Sequence, residues 1–257
     1  MGLTGDAGNT AGERSGPERA PDPSVQARPG AEQAGASVYR SPAARARVLK
    51  LYDAYIAEWP VPLDEADVDT RFGAVHVLIC GPSDGRPVLL LHAASMASTS
   101  WRPNVVALSE AGFRLYAPDH IGEAGKSRLR DVGRYPRTPQ DVGSLYLEIA
   151  ERLAIDACPV VGASAGGHAA LRYALAAPER VTALALLGPM GITSLSLAAM
   201  ARMMVASLVP TETVSRATSR WALGSARTVV NDYGVWFSTV MRSMATPPRV
   251  ARPVALA

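Results

Sequence analysis

The pentapeptide Gly162-Ala163-Ser164-Ala165-Gly166, followed by Gly167, is the segment of this sequence best equipped for chemistry. A short apolar run, residues 158–162, leads into it, and a helical run leaves it from Ala165. In that setting a serine sits on a tight strand-to-helix turn, where small neighbours let the two backbones approach. Its hydroxyl then projects above the carboxyl edge of a sheet, the place where open α/β folds bind ligands. The chemistry implied is attack on a carbonyl carbon, with Ser164 as the nucleophile. The amide of Ala165, first in the following helix, can face the oxyanion that develops. The plainer alternative is an ordinary small-residue turn, and the strand before and helix after argue against it.

His92-Ala93-Ala94 ends another apolar run, residues 87–92, and its backbone offers a second oxyanion donor in the Ala94 amide. A third element is the glycine-punctuated loop Asp119-His120-Ile121-Gly122-Glu123-Ala124-Gly125-Lys126-Ser127. It is expected to fold back and shape a rim, with Asp119 bonding loop amides rather than reacting.

A serine hydroxyl needs a base, and the base needs an orienting acid. The four histidines are His76, His92, His120 and His168. His168 lies four residues along the helix that Ser164 opens, a turn away on its flank, and reads as a packing or surface residue. His76 lies in an early strand and His92 reads as structural. His120 is the best substitute base, although its strand is expected beyond that of His92 from Ser164. Glu212 and Asp232 read as solvated charges. The sequence therefore offers a nucleophile and an oxyanion hole without base or acid, a loss worth roughly 10⁴–10⁶ in turnover.

The elements that must hold these residues follow from periodicity. Ser41-Pro42 opens a helix whose apolar face is Val48, Leu51, Tyr52, Tyr55 and Trp59. Extended runs at 66–72 and 74–80 follow, then the strand 87–92. Beyond it come a helix near 101–111, a strand at 114–118, and a helix opened by Thr138-Pro139. The strand 158–162, the helix from 165 to about 177 and the strand 181–187 complete the series. Such alternation of strand and helix predicts an α/β fold with a doubly wound, mostly parallel sheet. Residues 192–249 change to Met-rich helical sequence, with Met200, Met203 and Met204 read as core packing in preference to an apolar, ligand-facing wall, and 250–257 looks like the start of another strand.

Composition narrows the class. The chain has 257 residues, 48% hydrophobic and 19% charged, which excludes collagen, coiled coil and full disorder. Residues 1–37 hold seven Gly and four Pro and no aromatic residue, so they are expected to be a disordered tail. A net charge of +3 invites a nucleic-acid reading. The scattered arginines, with only Lys50 and Lys126 as lysines and no basic run, exclude it. Cys80 and Cys158 have neither disulfide nor metal-ligand spacing, so neither a metal nor a cofactor is expected. No secretory leader is visible, and the apolar stretch at 195–209 is interrupted by Arg202 and too short to span a bilayer. A cytoplasmic location and no membrane partner are the expectation.

The elbow, the strand-end His92 and the loop after Asp119, in this order, resemble the α/β-hydrolase fold. A closer resemblance is to bacterial carboxylesterases of the naproxen-esterase kind. It rests on Leu51-Tyr52-Asp53-Ala54-Tyr55-Ile56-Ala57-Glu58-Trp59-Pro60 and Thr70-Arg71-Phe72-Gly73-Ala74-Val75-His76-Val77. Serine at the elbow is unlike the dehalogenase and epoxide-hydrolase branches, which carry Asp there. The resemblance implies a core over 38–191, a helical cap insertion over 192–249 and a Ser–acid–His triad in chain order. Both triad partners would follow the strand that 250–257 starts, so the sheet is expected to lack its last strands and the chain to be truncated at its C-terminus. The strand 181–187 should then approach an exposed edge. One departure is Ala93, where these families carry Gly, and its Cβ is expected to perturb the oxyanion loop. The function implied is hydrolysis of a small-molecule carboxylic ester, impaired in this chain. The alternatives are a non-catalytic binding protein of the same fold, a carbon–carbon bond hydrolase, and a half-enzyme completed by a second chain.

Overall fold

The computed structural model describes residues 38–192, 196–224 and 227–245. The tail expected over 1–37 and the strand expected over 250–257 lie outside the described residues.

A seven-stranded sheet organises the molecule. Strands β1 (Leu63–Thr70) and β2 (Gly73–Cys80) form a hairpin in full register, from Leu63 opposite Cys80 to Thr70 opposite Gly73. Next come β3 (Arg86–Leu91), β4 (Phe113–Pro118), the two-residue β5 (Arg128–Leu129), β6 (Cys158–Ala163) and β7 (Val181–Leu187). The spatial order is β1-β2-β4-β3-β6-β7, with β5 on β2. Pairs β4–β3, β3–β6 and β6–β7 are parallel, whereas β2 meets β1, β4 and β5 antiparallel. The expected doubly wound, mostly parallel sheet is thus the architecture found; only β5 had no signal in the sequence.

Alternation along β3 shows why both faces are covered. Val88 and Leu90 point to one core, shared with helices α1 (Pro42–Ala57), α2 (Val105–Glu110) and α7 (Arg227–Ser243) through Val48, Tyr52, Val105 and Trp236. Leu89 and Leu91 point to the other, shared with α3 (Pro139–Arg152) and α4 (Ala165–Ala176) through Leu145, Ile149, Ala169 and Tyr173. The helix starts follow their local chemistry. Ser41 Oγ accepts from the Ala44 amide at 3.1 Å, and Thr138 and Asp141 make a capping box, each followed or preceded by proline in the first turn. The helix expected near 101–111 is instead a 3₁₀ run, Ser98–Asn104, that continues as α2. Pro103 lies inside that run and has no amide to donate, which breaks a continuous α-helix.

After β7 come α5 (Leu197–Leu208), α6 (Glu212–Leu223) and α7, with α5 against α6 and α6 against α7. Helix α7 returns to α1, where Tyr55 donates to the Asp232 carbonyl at 2.9 Å. Arg102 bridges Asp232 at 2.5 Å and Glu58 at 2.7 Å. Asp232 is therefore half of an ion pair rather than the solvated charge expected, while Glu212 pairs only with Arg216 one turn along the α6 surface.

Among the described residues β7 pairs with β6 alone, so it is an edge strand of the described sheet. Its side chains are largely exposed, Leu187 at 55%, as is Leu175 of the adjacent α4. On α5, Met200, Met203 and Met204 are about half exposed, at 47%, 48% and 60%, so the core packing expected for them is not found. Among the described residues no helix is long and apolar enough to cross a membrane.

The contrast between β3 and β7 is measurable. Leu89→Ala, at a fully buried site, is expected to cost about 2–5 kcal/mol in urea melts. Leu187→Lys should change stability by no more than about 0.5 kcal/mol. A large loss in the second variant would show that a further element covers β7 in solution.

Candidate active site

Ser164 has φ 51° and ψ −112°, a backbone conformation that side-chain-bearing residues seldom adopt. The neighbouring glycines explain how it persists. A Cβ on Gly162 would lie 2.4 Å from the Gly166 carbonyl oxygen, and one on Gly166 would lie 2.1 Å from that of Leu91. The first turn of α4 is thus pressed onto the ends of β3 and β6 at distances that only glycine permits. The Ser164 amide donates to the Leu187 carbonyl at 2.9 Å, and the Ser164 carbonyl accepts from Met190 at 2.9 Å and His168 at 3.1 Å. These bonds fix the turn from β7 and from α4 together. The amide of Ala165 stands at the helix N-terminus, where backbone N–H groups have no intrahelical partner.

Ala94 lies in the turn after β3, closed by the Met96 amide on the Ala93 carbonyl at 3.1 Å. The contact of Gly166 with the Leu91 and His92 carbonyls brings this turn beside the elbow, so Ala94 and Ala165 occupy adjoining strand-end loops. Ala93 itself does not take a positive φ. Among the described residues the non-glycine positions with positive φ are Ser95, Ala154 and Ser164, so the left-handed position falls on Ser95, at φ 62°. Sequence reasoning missed this, because Ser95 carries no turn signature of its own.

The histidines are all placed, and none reaches Ser164 as a base. Among the described residues no hydrogen bond engages Ser164 Oγ. His92 is buried, donates from Nδ1 to the Ala93 carbonyl at 2.8 Å and accepts the His120 amide on Nε2 at 2.9 Å. Burial pushes its pKa down to about 4. His120 donates from Nε2 to the His92 carbonyl at 2.7 Å and accepts the Tyr146 hydroxyl on Nδ1 at 2.5 Å. Burial and the adjacent His92 hold its pKa well below the usual range. Both rings are neutral with every nitrogen engaged, so His120, the best substitute base from sequence, has no lone pair to offer. His168 is half-buried, with its Nε2 facing Arg172 at 3.4 Å, and burial and that cation lower its pKa. His76 sits on β2 between Glu65 and Asp67, with ring nitrogens 3.0 and 2.9 Å from their carboxylates.

Asp119 takes the structural role expected of it. It is buried and accepts from the Ser98 amide and hydroxyl at 2.8 and 2.7 Å and from the Lys126 amide at 2.8 Å. Tyr52 joins the same chain through Ser98 at 2.7 Å. Four residues on, Glu123 is also buried, and it accepts from the Ser95 amide at 2.7 Å. Burial pushes its carboxyl up to about 7, against the pull of that amide and with Asp119 adding to the rise. Beside the elbow an open cleft of about 620 Å³ is lined by Glu123, Tyr135, Tyr146, Ala165, His168 and Met190, among others. Its walls are mostly apolar, as suits an organic substrate. Among the described residues no cluster of His, Cys, Asp and Glu could hold a metal ion.

Known proteins share this fold. The sequence model of the alpha/beta hydrolase fold matches residues 86–226. A Bacillus subtilis protein described as the uncharacterized carboxylesterase nap is 36% identical over 143 residues, covering 56% of this chain and 46% of that one. A 2-hydroxy-6-oxononadienedioate/2-hydroxy-6-oxononatrienedioate hydrolase of Klebsiella pneumoniae is 31% identical over 119 residues, 44% of this chain and 39% of its own. The crystal structure of naproxen esterase (carboxylesterase NP) from Bacillus subtilis superposes with a TM-score of 0.70 at 26% identity, covering 79% of this chain and 70% of that one. The chain spans about half the length of the Bacillus relatives it matches in sequence.

The assignment of His76 to structure can be checked by titration. Burial works to lower its pKa, but Asp67 and Glu65 outweigh it and raise it to about 9. The stability this ion-paired proton supplies is complete below 6.5 and lost as pH rises through about 9. His76→Gln is expected to cost about 1–3 kcal/mol at pH 6, an allowance reduced for the partly exposed carboxylates. In thermal melts the gap to wild type should narrow steadily between pH 6 and 10. A gap that widened with pH would refute the assignment.

Proposed function

The chain belongs to the α/β-hydrolase family, and we propose that it is a serine hydrolase of carboxylic esters with Ser164 as nucleophile. The observation that carries this reading is the backbone of Ser164, strained at the β6–α4 junction where its hydroxyl meets the carboxyl edge of the sheet. Oγ attacks the ester carbonyl carbon, the carbonyl π pair moves to oxygen, and the Ala94 and Ala165 amides receive the oxyanion. Collapse of that intermediate breaks the ester C–O bond, the departing alkoxide takes the proton that Oγ gives up, and the acyl-serine left behind is cleaved by water to the acid and free Ser164. The cleft beside Ala165 accommodates an apolar substituent of a small-molecule ester. In this reading residues 38–191 are the hydrolase core and 192–249 a helical cap over the site. Free, buried Cys80 and Cys158 suit a reducing cytoplasm.

Transfer of the Oγ proton needs a base, and among the described residues none is in place. Turnover by this chain alone is therefore expected to be weak. A second reading, hydrolysis of a carbon–carbon bond beside a ketone, is favoured by the oxo-acid substrate in the name of the Klebsiella relative. It uses the same nucleophile and differs in the leaving group.

Incubation with a fluorophosphonate, followed by intact mass measurement, tests the assignment. The wild-type chain is expected to gain one adduct slowly and Ser164→Ala none. Folded wild-type chain that gains no adduct would favour the binding-protein reading, and labelling only beside a second polypeptide would favour a half-enzyme. Faster cleavage of an oxo-acid than of a p-nitrophenyl ester would select the carbon–carbon reading.

A further inference from the structure

The turn that presents Ala94 is held in a conformation that its own sequence disfavours. Met96 bonds back to Ala93, which places Ser95 third in a four-residue turn, and Ser95 has φ 62°. Positive φ at that position marks a turn whose central peptide is flipped relative to the commonest type, an arrangement that favours glycine. A serine stays there only if the surroundings bind the flipped form better. Two buried side chains do so. Glu123, in the loop after β4, accepts the Ser95 amide at 2.7 Å. Trp236, on α7, donates from Nε1 to the Ser95 carbonyl at 2.9 Å. Both side chains are buried, Glu123 at 7% and Trp236 at 3% exposure, so neither bond is shared with bulk water.

We propose that Glu123 and Trp236 are positioning residues that grip the two backbone polar groups of Ser95 and thereby hold the Ala93–Met96 turn in the form that directs the Ala94 amide at the oxyanion. The inference rests on the reading of Ser164 as nucleophile and extends it to residues that bond neither Ser164 nor the oxyanion. It also explains a buried carboxylate that the reaction does not otherwise use. Flipping the Ala94–Ser95 peptide would turn a carbonyl oxygen toward Glu123 in place of an N–H, so an ionised Glu123 opposes the flip electrostatically. Trp236 makes the grip depend on α7. Its ring packs against Tyr52 and Tyr55 of α1, each at a centroid distance of 6.1 Å. The position of the helices after β7 is thus transmitted to the strand-end turn through one indole N–H.

The ionisation of Glu123 is governed by several neighbours. Asp119 from the end of β4 adds negative charge, and the Ser95 amide draws the carboxyl the other way. Tyr135 and Tyr146 feel its charge from the segment before α3 and from α3 itself. Neutral His120 lies in the same loop, and His168 of α4 lines the same cleft.

The test uses the full chain and two independent readouts. By amide hydrogen exchange, Ser95 should be protected in wild type, and Trp236→Phe, which keeps the aromatic packing, should speed exchange at Ala94 and Ser95. Glu123→Gln keeps an acceptor and should retain protection, while abolishing the titration of the Ser95 amide resonance expected of wild type near pH 7. In the fluorophosphonate assay Trp236→Phe and Glu123→Leu should slow labelling of Ser164 by about ten- to hundredfold. Binding of an unreactive ester analogue should be unchanged in Trp236→Phe. An unprotected Ser95 amide in wild type, or Trp236→Phe with wild-type exchange and labelling, overturns the proposal. Should Ser164 fail to label even in wild type, the hydrolase reading falls, and the exchange readout still decides whether the grip exists.

Discussion

The approach of the first turn of α4 to the ends of β3 and β6 is the constraint from which the rest of the site follows. It requires glycine at 162 and 166, because a side chain at either would overlap a backbone carbonyl. It forces Ser164 into positive φ, since the chain must reverse from strand to helix within one residue. The same approach sets the unpaired amides of α4 beside the turn that follows β3. The strain is offset by three backbone hydrogen bonds at Ser164 and by the packing of α4 through Ala169, Ala170 and Tyr173. Relaxing it would separate Ser164 from the turn that follows β3.

The ends of β3 and β4 are locked by a different means. His92 and His120 exchange main-chain and side-chain bonds, their rings 3.9 Å apart, and Tyr146 closes the series from α3. Each imidazole is buried neutral, and each nitrogen has one partner of the right kind. Such a network rigidifies the rim and, by being complete, cannot move a proton for Ser164. Asp119 does the same work one residue earlier, tying the 98–104 segment and Lys126 to the end of β4. Polar residues crowd this edge, and nearly all are spent on shape.

What could be read from sequence was what is encoded locally. The elbow depends on residues within five positions, and the caps at Ser41 and Thr138 on residues within three. The strand 181–187 was legible to the residue, because an apolar run bounded by Arg180 and Gly188 leaves little freedom. The parallel sheet followed from the alternation of such runs. The partners of Ser95 were not legible, for Glu123 is 28 residues away and Trp236 is 141. The Arg102–Asp232 pair, 130 residues apart, was hidden for the same reason. Helical spacing of Met200, Met203 and Met204 correctly marked α5, yet periodicity states only that a face is apolar and not that something covers it.

The exposed edge of β7 and the unaccompanied hydroxyl of Ser164 are one geometric fact. The elbow is tied to β7 directly, Ser164 N–H to the Leu187 carbonyl and Met190 N–H to the Ser164 carbonyl. A further strand laid parallel on β7 would end at the same carboxyl edge, and the loop leaving it would lie beside Ser164. On the opposite side the His92–His120 pair lines the rim with its ring nitrogens already engaged. On the β7 side, apolar side chains stand exposed and strand hydrogen-bonding groups are free among the described residues. An element laid on that edge would stand beside Ser164.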